Sequence, residues 1–284
     1  MKLSSPAKIN LFLQVLKKRK DGYHEIRTLF ERIDLCDEII LKLLPSEIRL
    51  KANNASVPGD SGNLAWRAAE LLKNRFKVKK GVAITLSKKI PVSAGLGGGS
   101  SNAATVLLGL NRLWKLGLSR QNLMKLGGAL GSDVPFFVME TPLALGRGRG
   151  EILQKIPFHG PKLRHVLVKP PFGISTKQAY EGLNLPRLTG QKPNVRMLIH
   201  SIEKGATKGL SKFLTNSLEL SINKRVTTIL KIKKSLLKCG ADAALLSGSG
   251  STVFGVFSSR RNAVNAAKIL GKNRTWKVFV TSTY

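Results

Sequence analysis

Lys88-Lys-Ile-Pro-Val-Ser-Ala-Gly-Leu-Gly-Gly-Gly-Ser-Ser-Asn102 lies between an apolar run, Val82 to Leu86, and an apolar pattern at helical spacing: Ala103, Ala104, Val106, Leu107, Leu110, Leu113 and Trp114. The run predicts a strand and the pattern a helix. Gly95, Gly97, Gly98 and Gly99 must turn the chain from one to the other. Glycine reaches positive φ without a Cβ clash and lets backbone N–H groups come close to a ligand. The unpaired N–H groups and dipole of a helix start favour a phosphate. Strand, glycine loop and helix start are thus how a backbone makes an anion site.

Two common phosphate loops do not fit. A P-loop needs a lysine directly after its last glycine, and none follows here. The dinucleotide fingerprint fails because Ser100 occupies the third glycine position. A flexible linker would not be held between a strand and a strongly apolar helix.

At 284 residues, 42% of them hydrophobic, the chain can pack one large domain or two ordinary ones. No run of eighteen apolar residues occurs, so no membrane partner is expected. Met1-Lys-Leu-Ser-Ser-Pro6 leads directly into an alternating strand, without a signal or transit pattern. A cytoplasmic location is expected. Cys36 and Cys239, far apart and outside any Cys-x-x-Cys, suggest buried thiols. The net charge is +32, from 48 basic and 16 acidic residues, which raises nucleic-acid binding. The basic residues are dispersed, however, and aromatic residues make up only 6%, which is poor for base stacking. An anionic small-molecule substrate, weak nonspecific nucleic-acid binding at low salt and no specific nucleic-acid partner are expected.

Alternation at Ile9, Leu11, Leu13 and Val15 predicts a first strand, and 23–33, 39–41 and 48–50 continue a β-rich start. Helices are predicted over 63–76, through the glycine-loop helix, and from the N-cap Ser119 to Leu130. A second half starts near Pro157, giving regions 1–156 and 157–284. It reads as strands at 165–168, 243–246, 253–257 and 276–281 with helices at 176–182, 195–204, 208–221, 226–238 and 261–270, an α+β layer. Gly146-Arg-Gly-Arg-Gly150 reads as a mobile loop.

Transfer of a phosphoryl group to an alcohol needs held phosphates, neutralised charge and an aimed, deprotonated hydroxyl. On spacing alone, Lys8 reads as a solvated strand-edge residue and Asp133 as a turn or cap. In Asp21-Gly-Tyr-His-Glu25, His24 by itself reads as a surface turn histidine, and no second histidine completes a zinc motif.

Three stretches in order, Pro6-Ala-Lys-Ile-Asn-Leu11, the glycine loop and Leu246-Ser-Gly-Ser-Gly-Ser251, resemble the motifs of the GHMP kinases over nearly the whole chain. The resemblance implies a two-domain α+β fold, with an N-terminal ribosomal-S5-domain-2-like half and a C-terminal ferredoxin-like half. It implies an ATP-dependent alcohol kinase, with ATP and Mg²⁺ as cofactors. Lys8 and Asp133 match the family's catalytic pair. Asn63, Lys88, Pro91, Val92, Ser93, Ala94, Gly95, Leu96, Gly97, Gly98, Gly99, Ser100, Ser101 and Asn102 match its ATP-binding positions, with Ser100 and Ser101 placed for phosphate or Mg²⁺. The longer form Gly-Leu-Gly-Gly-Gly-Ser-Ser-Asn-Ala-Ala and the block Asp21–Glu25 resemble the branch acting on a cytidine-diphosphate-linked polyol, a step towards isoprenoid precursors. That branch usually has glycines where Ser93 and Ala94 stand. There Tyr23 would stack on cytosine and His24 would hydrogen-bond its edge, with Asn10 and Phe30 lining the pocket and Tyr180 as opposing aromatic. Ser247 to Ser251 would pack close to the phosphates. A monomer or homodimer is expected. Another small-alcohol kinase of the family would lack the Tyr23-His24 block, and a basic RNA-binding protein on an S5-like fold would lack the phosphate loop.

Overall fold

The computed structural model describes residues 1–183, 194–221 and 225–284. The chain forms two compact units. The first comprises Met1–Ala7, Leu35–Val92 and Gly97–Thr141; the second comprises Lys8–Asp34, Ser93–Leu96 and Pro142–Tyr284. Two long strands, β1 (Lys2–Lys18) and β2 (His24–Leu44), each contribute one end to each unit. The strand segments expected at 23–33 and 39–41 are thus one strand, β2.

In the first unit follow β3 (Ile48–Ala52), α1 (Leu64–Arg75), β4 (Gly81–Ser87), α2 (Gly98–Leu113), α3 (Arg120–Leu130) and α4 (Val134–Met139). β4 pairs parallel with β3 and antiparallel with the end of β2, with Ile84 opposite Leu50 and Leu41. α1 packs along α2. The buried faces are rich in small residues, Ala65, Ala68 and Ala69 on α1 and Ala103 and Ala104 on α2. Gly109 continues this close packing, because a Cβ there would come 2.6 Å from the side chains of Leu3 and Leu41. Asn63 caps α1 and Ser119 caps α3, their side chains accepting from Ala65 N and Asn122 N.

In the second unit follow β5 (Leu143–Arg147), β6 (Ile152–Ile156), β7 (Arg164–Lys169), α5 (Thr176–Glu181), α6 (Val195–Glu203), β8 (Thr215–Asn216), α7 (Val226–Lys238), β9 (Ala243–Leu246), β10 (Val253–Phe257), α8 (Arg260–Leu270) and β11 (Lys277–Ser282). β11, β7, β10 and β9 make an antiparallel sheet in that order. Ile229, Ile232 and Leu236 of α7 and Ala263, Ala266 and Leu270 of α8 share one apolar core with Val166, Val168 and Phe257. The start of β2 pairs with β5, Leu29 opposite Leu145, and β5 pairs with β6. β8 runs parallel to β1, with Phe12 opposite Thr215.

Three expectations need correction. Cys36 and Cys239, expected as buried thiols, are thiols but only partly buried. The helix predicted at 208–221 is instead a pair of 3₁₀ turns, Leu210–Lys212 and Ser217–Ser221, on either side of β8. Leu210, Leu214 and Leu218 imitate helical spacing. Asn216 decides the outcome: its Nδ2 donates to the Leu246 and Gly248 carbonyls at 2.9 and 2.7 Å and its Oδ1 accepts from Leu218 N. Gly146–Gly150 is the end of β5 and its hairpin turn. Among the described residues no helix is long and apolar enough to cross a membrane.

Candidate active site

In the first unit the start of α2 is held by one buried carboxylate. Asp37, on β2 and 1% exposed, accepts through Oδ1 from Lys89 N and Ile90 N at 2.7 and 2.8 Å. Its Oδ2 accepts from Asn102 Nδ2 at 2.9 Å and from Lys88 Nζ. Asn102 also receives Lys88 Nζ at 3.1 Å and donates to Ser5 Oγ at 2.9 Å, and Ser5 is hydrogen-bonded to Ser101. One network therefore ties β1, β2, the lead into the glycine loop and the first turn of α2. Gly97 is the N-cap of α2, at φ 67°, and no side chain caps that helix. Its first-turn N–H groups therefore have no side-chain cap, an arrangement that favours an anion. Ser100 lies beside Gly131, which opens the turn to Asp133. Asp133 is the N-cap residue of α4, yet its carboxylate does not cap that helix.

In the second unit the other half of the glycine loop meets the third motif. Gly95 adopts φ 74°, and a Cβ there would overlap the Ser247 carbonyl oxygen. Ser247 Oγ donates to Gly95 O at 2.9 Å, and Thr252 N donates to Ala94 O. Lys8 N donates to Leu96 O at 3.0 Å. Lys8 Nζ donates to Asn10 Oδ1 at 2.7 Å, Asn10 Nδ2 to Thr28 Oγ1, and Thr28 Oγ1 to Phe12 O. Gly248, at φ 54°, is close to the same group: a Cβ would sit 3.1 Å from Asn10 Oδ1 and 3.4 Å from Lys8 Nζ. Lys8, Asn10, residues 94–96 and the Ser247–Thr252 turn therefore form one polar cluster. Ser93 adopts φ 51°, the left-handed region that favours glycine, which accounts for the glycine usual at this position in the resembling branch.

At the start of β2, His24 stacks on Tyr180 of α5, ring centroids 5.1 Å apart and planes 27° apart. Burial, and then the charge of Lys18, lower the His24 pKa below its usual 6.5. Tyr23 is 54% exposed, with the Arg149 guanidinium 4.7 Å from its ring centroid.

The predicted residues separate by what they touch. His24 and Tyr180 form a partly buried stacked pair, and Tyr23, next in sequence to His24, is exposed with Arg149 on its ring. Phe30 is not exposed: it is buried under Lys8, whose Nζ lies 5.4 Å from the ring. Asn63 is a cap, its Nδ2 donating to Pro58 O and its Oδ1 accepting from Ala65 N. Lys88 and Asn102 are engaged with Asp37 inside the protein. Pro91 and Val92 lie in the first unit ahead of the loop, Val92 being exposed. Asp37, Thr28 and Arg149 were not anticipated. The β2 sequence Ile33-Asp-Leu-Cys-Asp-Glu-Ile39 carries three acids, and nothing in it singles out Asp37.

A glycine-loop helix start and a lysine-bearing first strand, on an α+β chain, define a small-molecule kinase of the GHMP class. The family models agree: GHMP kinases N terminal domain matches residues 63–141 and GHMP kinases C terminal matches 198–274. The chain is 47% identical over 258 residues to a 4-diphosphocytidyl-2-C-methyl-D-erythritol kinase of Geobacillus kaustophilus, covering 90% of this chain and 88% of that protein. It is 45% identical over 277 residues to the kinase of that name from Citrifermentans bemidjiense, covering 97% and 96%. A crystal structure of 4-(cytidine 5'-diphospho)-2C-methyl-D-erythritol kinase superposes with a TM-score of 0.86 at 32% identity, covering 99% of this chain and 98% of that one. The chain belongs to the 4-diphosphocytidyl-2-C-methyl-D-erythritol kinase family.

Proposed function

We propose that the protein transfers the γ-phosphoryl group of ATP to the 2-hydroxyl of 4-diphosphocytidyl-2-C-methyl-D-erythritol, giving ADP and the 2-phosphate on the route to isoprenoid precursors. Membership of the family supports the reaction. The observation that carries the substrate assignment is the consecutive pair Tyr23 and His24, Tyr23 exposed and His24 stacked on Tyr180. A kinase for a simple alcohol has no use for a stacking platform with a hydrogen-bonding edge.

In this reading the glycine loop and the uncapped start of α2 hold the ATP phosphates, with Ser100 as the nearest hydroxyl. Asp133 accepts the proton of the 2-hydroxyl as its oxygen bonds to the γ-phosphorus and the bond to ADP breaks. Lys8, oriented by Asn10, supplies positive charge to the transferring phosphoryl group. Tyr23 and His24 hold the base. Among the described residues no three His, Cys, Asp or Glu side chains group to hold a metal. A Mg²⁺ ion brought by the ATP phosphates would meet the Ser100 hydroxyl at the start of α2. Bound there, the ion would neutralise phosphate charge. A cytoplasmic enzyme acting without nucleic acid or membrane completes the reading.

ATP turnover with the cytidyl substrate, measured beside mevalonate, homoserine and galactose, tests it. Turnover should occur with the cytidyl substrate and stay at background with the other three. Comparable turnover with any of those would overturn the substrate assignment.

A further inference from the structure

The hairpin turn at Gly146-Arg-Gly-Arg-Gly150 is fastened to the Asp21–Glu25 block. Gly148 N donates to Glu25 Oε1 at 3.1 Å, and Ile26 N donates to Gly148 O at 2.7 Å. The turn closes on itself through Gly150 N to Arg147 O, and Arg149 N donates to Glu151 Oε2 at 2.6 Å. Gly148 and Gly150, at φ 70° and 107°, permit the tight reversal. Glu25 also receives Arg19 Nη1 at 2.9 Å, so a single carboxylate joins the turn to the strand end. This framework fixes where the Arg149 side chain starts, and its guanidinium lies over the ring of Tyr23.

The backbone of Tyr23 is held separately. Its N–H donates to Asp21 Oδ1 at 3.1 Å and its carbonyl accepts from Arg19 N at 2.8 Å. Those bonds fix the Cα and leave the ring's torsions to whatever touches the ring. Arg149 covers one side of the ring, while the residue remains 54% exposed. A planar cation stacked on an aromatic face is attractive and suits arginine better than lysine.

We infer that Arg149 is a positioning residue for substrate recognition: it orients the Tyr23 ring so that the exposed face receives the cytosine base, and so tunes selectivity for cytidine-diphosphate-bearing alcohols. The inference rests on the reading of Tyr23 and His24 as the base pocket. It predicts that Arg149 acts through Tyr23 and not by touching the diphosphate. A side chain ordered before binding adds affinity by reducing what must be immobilised on binding.

The test is a double-mutant cycle of Arg149→Ala and Tyr23→Ala, read as KM for the cytidyl substrate, KM for ATP and kcat. Arg149→Ala should raise the cytidyl KM about 2- to 5-fold, moving the ATP KM and kcat far less. Tyr23→Ala should raise it more, and the double variant should be no worse than Tyr23→Ala alone. Arg149→Lys should recover part of the loss and serves as the probe if Arg149→Ala does not fold. An unchanged cytidyl KM in Arg149→Ala, with a raised one in Tyr23→Ala, overturns this inference and leaves the base pocket standing. Silence in both overturns the base pocket and this inference with it, and Tyr23→Ala alone marks that case. Multiplying effects in the double variant would mean that Arg149 meets the substrate directly, which also overturns the positioning role.

Discussion

Asp37 and Arg149 are both charged residues next to a proposed ligand site, and they are used in opposite ways. The Asp37 carboxylate is fully shielded from solvent and its Lys88 partner nearly so, with side-chain exposures of 0% and 6%. Four donors converge on that carboxylate. Arg149 stacks on a ring that is more than half exposed. Removing one partner of a buried pair leaves an uncompensated charge and costs about 3–5 kcal/mol. An exposed cation–π contact is worth about 0.5–1 kcal/mol. The region proposed for the phosphates is therefore fixed by the fold, whereas the region proposed for the base can be adjusted by single residues at little cost to stability.

The largest effect should fall on neither region but on the catalytic pair. Asp133 does not cap α4, although it occupies the cap position. Asp133→Asn keeps the size of the side chain and removes its ability to take a proton. A general base contributes roughly 10²- to 10⁴-fold in rate. Single-turnover phosphoryl transfer at saturating substrates should fall within that range, with ATP binding retained. Lys8→Ala should lose a comparable amount, and the double variant much less than the product. A rate for Asp133→Asn within about threefold of wild type, with chemistry limiting, would rule out direct proton abstraction by this residue.

The next effect falls on the buried network around Asp37. Asp37→Ala should destabilise the fold by about 3–5 kcal/mol in urea unfolding, because Lys88 would be left buried without its carboxylate. Gly95→Ala should act at the same loop by a different route. Its Cβ has no room beside the Ser247 carbonyl, and φ 74° strains any L side chain. ATP KM should rise while cytidyl KM changes little. If Asp37→Ala unfolded at the wild-type urea concentration, the buried network would not be what fixes the helix start.

These residues also show how far the sequence could be read. The glycine loop, α1, α2, α7 and the four strands of the second sheet were legible because their signals are local: glycine clusters, caps and periodic apolar faces. Lys8 and the Ser247 turn were legible as motifs, and their proximity became visible only in the fold. The 208–221 helix was misread because leucine spacing is a local signal and the bonds of Asn216 to Leu246 and Gly248 are not. Asp37 was missed for the same reason, since its donors lie more than fifty residues downstream. The burial of Phe30 beneath Lys8 was not legible, because its neighbour Glu31 is a charged residue that only the fold buries.

Smaller effects belong to the region proposed for the base. Tyr23→Ala and His24→Ala should raise the KM for the cytidyl substrate, each by about 1–3 kcal/mol, for loss of a stacking surface or a base-edge hydrogen bond. ATP KM and the urea midpoint should hardly move, as befits partly exposed side chains. An equal loss for ATP would mean that the block serves the nucleotide or the fold.

The smallest expected effect is the pH dependence of base binding. Burial, helped by Lys18, holds the His24 pKa below 6.5, so the native ring stays neutral in acid where an unfolded histidine would already be charged. Between the depressed value and 6.5 the unfolded chain binds more protons than the native one. His24's contribution to stability is therefore complete above 6.5 and is lost as pH falls through the depressed value. Substrate binding should follow the same ring. If the neutral imidazole accepts a hydrogen from the exocyclic amine of cytosine, protonation removes the acceptor. The cytidyl KM should be flat above pH 6.5 and rise only below the depressed value, while the ATP KM shows no matching step. His24→Gln retains an acceptor that does not titrate, so the acid limb should disappear in that variant. Protonation of the base itself is common to both proteins and cancels in the comparison. A cytidyl KM that fell on acidification, with the fall absent from His24→Gln, would mean that the charged ring donates to the base, and the assignment of His24 as acceptor would have to be reversed.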